Sequence, residues 1–232
     1  MDLNKNYPVN WEYDPGANPH SDYYKGPWPA SEPEVEAMMA FCERERPVTA
    51  VFYHSSATGS LSEHIYFPWR WESGVSPEWQ TMYREARRVA QALPRGYLPG
   101  HYSVYTGYNQ RRGYARDWVY ASYRTHAFTI ETGGNQVSPE GFYAGVIHPP
   151  AEQLESLKNK HWQACRVLMR GFRENLVRIS VLDSRNRPLA GIEVNLPLLD
   201  DDPALLPLRT DAYGCVWRYV EPGRWPILID KQ

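Results

Sequence analysis

Cysteine is scarce in this chain: three in 232 residues, at positions 42, 165 and 215. Cys42, Cys165 and Cys215 are odd in number and far apart. They make neither a disulfide framework nor a thiolate zinc cluster. An excess of one charge is lacking too. Lys plus Arg is 25, Asp plus Glu is 27, and the formal net charge is −2. That balance argues against a protein held to nucleic acid mainly through phosphate contacts. No apolar run reaches the roughly 20 residues that cross a bilayer. Internal repeats and low-complexity segments are absent as well. The first residues show no charged leader followed by an apolar stretch and a cleavage site. Instead the chain opens directly on the polar run Asp2-Leu3-Asn4-Lys5-Asn6-Tyr7-Pro8, so abruptly that missing upstream sequence is expected.

What is present is the composition of a folded protein. Hydrophobic residues are 42% and charged residues 22%, which argues against disorder, and the length allows one or two domains. Aromatic residues are plentiful, with nine Trp and 17 Tyr. Such side chains give large contact area with polar handles, in a Tyr-rich core and surface or in a ligand cleft.

Along the chain, residues 1–30 have no regular period and read as a long ordered loop. Ser31-Glu32-Pro33-Glu34 has the capping-box spacing, and a helix from there to Pro47 is expected. Val48 to Tyr53 is a short β-branched apolar run, a buried strand of the α/β kind, ending at His54. A loop through Pro68-Trp69-Arg70-Trp71 should follow. Ser76-Pro77-Glu78 should then open a second helix with Pro at its first helical position. Ser103 to Tyr108 reads as extended, Ala115 to Tyr123 as helical, and Ala127 to Ile130 as another buried strand with Glu131 at its end. A long helix is expected from Pro149-Pro150 to about Glu174. Beyond it, short alternating stretches between Gly/Pro turns indicate a small β-sandwich. The expected domains are therefore 1–174 and 175–232.

His54 and Glu131 both follow strands, and ligands in open α/β sheets bind beyond the carboxyl ends of strands. A His there is a common metal ligand and a Glu a possible general base. Alone, a His there is more often a hydrogen-bonded structural residue, and a Glu more often a cap or an ion-pair partner. Together with their neighbours they resemble the zinc metallocarboxypeptidases of the carboxypeptidase A and B type. The resemblance lies in Asp2 to Pro8, in Gly26-Pro27 with Ser31-Glu32-Pro33-Glu34, in His54-Ser55, and in Asp117-Trp118 followed by Phe128-Thr129-Ile130-Glu131. The order and spacing agree: 49 residues from Lys5 to His54 and 77 from His54 to Glu131.

This resemblance implies a three-layer α/β/α domain with a mixed sheet. It implies a zinc-dependent hydrolase that removes C-terminal residues from peptides. His54 would be a zinc ligand and Glu131 the base that activates water and later protonates the leaving amine. Asn4 and Lys5 would bind the terminal carboxylate. Tyr108 would be the tyrosine that closes over the substrate, with Tyr105 nearby. Arg116 would set side-chain specificity, favouring an acidic or carboxylate-bearing residue; its plain alternative is a surface arginine beside Arg111 and Arg112. Asp117 would fix the local loop or cap a helix, and Ser55 and Ser56 would be structural. The C-terminal piece resembles the transthyretin-like, carboxypeptidase regulatory-like sandwich, through Pro188-Leu189-Ala190-Gly191, Thr210-Asp211-Ala212-Tyr213-Gly214 and Glu221-Pro222-Gly223.

The departures from the family are equally specific. No His-x-x-Glu occurs anywhere in the chain, so two of the three expected zinc ligands are absent, and the polypeptide as given is expected to be inactive. Lys5 stands where the family has Arg, and a point charge grips a carboxylate less well than a planar fork. Lys5 with Arg116 would suit a cell-wall peptide rich in carboxylates. The alternative is a non-catalytic peptide- or glycan-binding protein that kept the cleft and lost the metal. A deacylase on a related scaffold fits less well, because Asp117-Trp118 and the sandwich point to the peptidase branch.

Overall fold

Breakers and apolar runs divide the chain into elements much as their spacing suggests. The computed structural model describes residues 1–55, 63–71, 74–95, 99–109, 111–132, 135–137, 143–145, 151–172 and 175–230. Ser56 and the Pro149-Pro150 pair lie outside them.

The opening segment carries two short 3-10 turns, Leu3–Lys5 and Trp11–Tyr13, before α1 (Pro33–Glu45). Ser31 does not cap α1. The N-cap is Glu32, whose side chain makes no capping bond. Ser31 Oγ instead donates to the Glu32 carboxylate at 2.8 Å and accepts from Asn6 Nδ2 at 3.0 Å, so it ties the first loop down. Arg46 ends the helix in the left-handed region (φ 46°), returning its N–H to the Cys42 carbonyl, a common helix stop.

The strands β1 (Thr49–Ser55), β2 (His64–Tyr66), β3 (Arg70–Trp71) and β4 (Gly74–Val75) follow. The last three occupy the stretch expected as loop. They are only two or three residues long, too short for alternation to show. Next come α2 (Trp79–Gln91), β5 (Ser103–Val104), α3 (Ala115–Tyr123), β6 (His126–Thr132), β7 (Asn135–Val137), β8 (Tyr143–Gly145) and α4 (Ala151–Gly171). Pro77 precedes α2 rather than entering it, since Glu78 is the N-cap. Asp117 lies inside α3, whose N-cap is Tyr114, so it caps nothing.

The main sheet has the order β1-β6-β2-β5. β1 runs parallel to β6, β6 antiparallel to β2, and β2 parallel to β5, so the sheet is mixed. Side-chain alternation sends Phe128, Ile130 and Val51 into one apolar cluster with Met82, Leu168 and Phe172 from the α2 and α4 side. The intervening Ala127, Ala50 and Phe52 enter a second cluster with Val35, Trp118 and Val119 from α1 and α3. Helices therefore cover both sheet faces, which is why β6 reads as a nearly continuous apolar run.

The C-terminal residues form β9 (Leu176–Ser180), β10 (Glu193–Asn195), β11 (Cys215–Tyr219) and β12 (Leu228–Asp230). β9 pairs with β11 and β10 with β12, both antiparallel. They surround a small core of Val181, Val194, Leu196, Leu208 and Val216. Among the described residues no helix is long and apolar enough to cross a membrane.

Candidate functional site

The parallel register of β1 and β6 sets His54 opposite Glu131. Residues in register on neighbouring strands share a face, so the two side chains meet: His54 Nδ1 lies 3.3 Å from Glu131 Oε2. Both sit at the carboxyl ends of their strands. Thr129, two residues before Glu131, faces the same way.

The first turn of the chain closes one wall. Asp2 caps the Leu3–Lys5 turn by accepting from the Asn4 N–H at 3.1 Å, and Lys5 Nζ pairs with Asp2 Oδ2 at 3.0 Å. Asn4 Oδ1 accepts from the Ala115 N–H at 3.3 Å, and Tyr7 N–H donates to the Gly113 carbonyl at 3.0 Å. Both bonds join the opening segment to the start of α3. Gly113 is needed there. A Cβ at that position would come within 2.4 Å of the Tyr7 carbonyl oxygen and 2.6 Å of that of Lys5.

Asn6 anchors the same segment from behind. It is fully buried, with its amide donating to the Lys25 carbonyl at 2.8 Å and its oxygen accepting from the Glu32 N–H at 3.3 Å.

The second wall is α3 and its approach. Arg116 is buried. Its guanidinium lies over the Tyr114 ring at 4.2 Å and the Tyr66 ring at 5.6 Å, and it donates to Thr129 Oγ1 at 3.4 Å. Asp117 Oδ1 is 3.5 Å from Arg116 Nε. Burial pushes the Asp117 carboxyl up to about 6, with Arg116 pulling the other way. Arg112 lies 3.8 Å from Asp14. Burial, reinforced by the charge of Glu131, pushes the Tyr66 phenol up to about 12, so at neutral pH it is a hydrogen-bond donor.

These residues enclose one cleft of about 500 Å³, a size ordinary for a small-ligand site. Asn4, Lys5, His54, Arg116 and Glu131 all line it. Tyr108 is not in the lining; it is exposed, and its neighbour Asn109 lines the cleft instead. Sequence reasoning missed Tyr66, Tyr114, Arg112 and Tyr23, which also line it. Thr129 could have been found, because it alternates with Glu131 on one strand. Tyr66 belongs to a strand too short to recognise, and Tyr23 arrives by loop packing.

A catalytic zinc takes three protein ligands and leaves one position open. His54 offers one imidazole. Among the described residues no group of three or more His, Cys, Asp or Glu could hold a metal ion. The described residues do not make a zinc site by themselves.

Comparison with known proteins agrees with this architecture. The mouse (Mus musculus) carboxypeptidase A2 is 27% identical over 181 residues, covering 75% of this chain and 40% of that protein. A gamma-D-glutamyl-L-diamino acid endopeptidase 1 from Lysinibacillus sphaericus is 30% identical over 137 residues, or 57% of this chain and 30% of that enzyme. Carboxypeptidase A from Helicoverpa armigera superposes with a TM-score of 0.60 at 19% identity, covering 73% of this chain and 41% of that structure. Bovine thrombin-activatable fibrinolysis inhibitor, solved in complex with tick carboxypeptidase inhibitor, gives 0.59 at 22% identity over 75% of this chain and 57% of its own. The chain thus spans less than half the length of these curated relatives. Residues 1–164 match the zinc carboxypeptidase family, and the chain belongs to that family.

Proposed function

We propose that the cleft receives the carboxyl end of a peptide, and that it is the substrate-gripping half of a zinc-dependent hydrolase that removes C-terminal residues. The observation that carries this reading is the meeting of His54 and Glu131 at 3.3 Å in a cleft also lined by Asn4, Lys5 and Arg116. A carboxylate placed beside a scissile carbonyl can take a proton from water and return it to the leaving amine. Lys5 supplies a point charge for the terminal carboxylate, and Asn4 stands beside it. Because Asp2 already holds the Lys5 ammonium at 3.0 Å, the incoming carboxylate shares that cation rather than meeting it bare.

Arg116 selects an acidic side chain, with the Tyr66 and Tyr114 rings flanking its guanidinium. A cell-wall peptide carrying extra carboxylates fits this set, and the relative named as a gamma-D-glutamyl-L-diamino acid endopeptidase supports that class. On this reading residues 175–232 are a separate transthyretin-like sandwich, and this polypeptide alone turns over no substrate because the described residues give His54 too few fellow ligands.

The test is peptide binding by calorimetry. A short peptide ending in Glu with a free carboxylate should bind at least tenfold more tightly than its C-terminal amide. Lys5→Met should erase that difference, and Arg116→Met should remove the preference for Glu over Ala. Equal affinity for acid and amide would overturn the reading.

A further inference from the structure

Away from the cleft, six ionisable side chains meet where the C-terminal segment lies on the helices and sheet. Glu78 is the N-cap of α2 and Glu85 lies within it, Arg124 and His126 come from the junction of α3 and β6, Asp200 from the loop after β10, and Arg218 from β11. None of their side chains is more than 4% exposed.

They form a continuous row of alternating sign. Glu85 Oε2 is 2.8 Å from His126 Nδ1, and His126 Nε2 is 3.5 Å from Glu78 Oε1. Glu78 Oε2 is 3.5 Å from Arg218, Arg218 is 2.7 Å from Asp200, and Asp200 is 2.7 Å from Arg124. Three cations thus balance three anions. Among the described residues, the other groups facing the row carry no charge at neutral pH. Tyr120 donates to Glu78 at 3.1 Å. The Tyr219 and Phe172 rings lie 5.0 and 5.7 Å from the imidazole. On the β1 side the His126 backbone bonds Val48 and Thr49.

We propose that this row is a latch that fastens the C-terminal segment to the α/β layer only while all six groups are ionised. A buried charge has given up its hydration and depends on its partners. Removing one partner leaves another stranded. The row therefore fails from either end of the pH scale.

Burial alone would lower the His126 pKa, but Glu78 and Glu85 outweigh it and raise it from 6.5 to about 9. A raised value means that the stabilisation is complete below about 6.5 and drains away as pH climbs to about 9. At the acid end, burial would raise Glu78 and Asp200. The cations together outweigh it, Arg218 with His126 at Glu78 and Arg218 with Arg124 at Asp200, and both fall below their ordinary values. Their stabilisation is present above those ordinary values and is lost as pH falls through the lowered ones.

The experiment is hydrogen exchange read by mass spectrometry on the 232-residue chain at pH 7, 8 and 9, corrected for intrinsic rates. The open population of Leu176–Ser180 and Cys215–Tyr219 should grow roughly tenfold for each pH unit, while α1 keeps its protection. In His126→Gln that alkaline limb should be flat. A flat profile in the unaltered chain would overturn the latch, and so would α1 opening in step, since that is global unfolding. Should His126→Gln fail to fold, the imidazole resonance of the unaltered chain decides: titration near 6.5 refutes the proposal, and titration well above 8 upholds it.

Discussion

Asp117 shows how much one residue's burial can weigh. It is wholly buried in α3; among the described residues neither carboxylate oxygen has a hydrogen-bond partner, and Arg116 is the one close cation. Its carboxyl is pushed up to about 6 by burial, so the folded state holds the proton that the unfolded chain releases near the ordinary value. Stability should therefore fall as pH rises from about 4 to about 6. Asp117→Asn should remove that slope in melting temperature against pH, whereas a slope unchanged from the parent would contradict the assignment. At this scale the sequence was readable where function is local. Asn4 and Lys5 adjoin in one turn, and His54 and Glu131 each end an apolar run. Tyr66, Tyr114 and Arg112 were not readable, because nothing in their neighbours says that the sheet and the approach to α3 converge on one wall.

At the scale of elements, the cleft depends on the opening segment staying against the start of α3. Gly113 permits that approach, since any side chain there meets the backbone carbonyls of Lys5 and Tyr7. Gly113→Ala should cost roughly 1–3 kcal/mol in urea-unfolding stability, the usual range for overpacking. It should also weaken binding of a Glu-terminated peptide, because Asn4 and Lys5 are displaced. Loss of stability with unchanged binding would show that the opening segment does not shape the cleft. The four helices and the two long strands were legible from breakers and apolar spacing. The boundaries slipped where side chains bond elsewhere, as Ser31 does with Asn6 and Glu32. The strands β2 to β4 escaped because two or three residues carry no period.

Across the whole molecule, apolar surface is distributed unevenly. β1 lies at one edge of the four-stranded sheet. Tyr53 on that strand is 48% exposed, and Trp162 on α4 is 58% exposed, with Leu154 and Met169 also exposed on that helix. Among the described residues no strand covers that edge, and an uncovered edge beside apolar side chains favours pairing between chains. Sedimentation at increasing concentration should show self-association, and Trp162→Glu should reduce it; a parent chain monomeric throughout would argue against this. The cleft is of the opposite character. Lys5 is answered by Asp2, Arg112 by Asp14 and Arg116 by Asp117. Opposite charges at such short range project little potential into bulk water, so the site does not draw anionic molecules from afar. Arrival is left to chance collision, and discrimination begins only once a guest is close enough to compete with the resident carboxylates for their cations. The cleft would then be choosy in how long it retains a visitor, and indifferent in how fast it meets one.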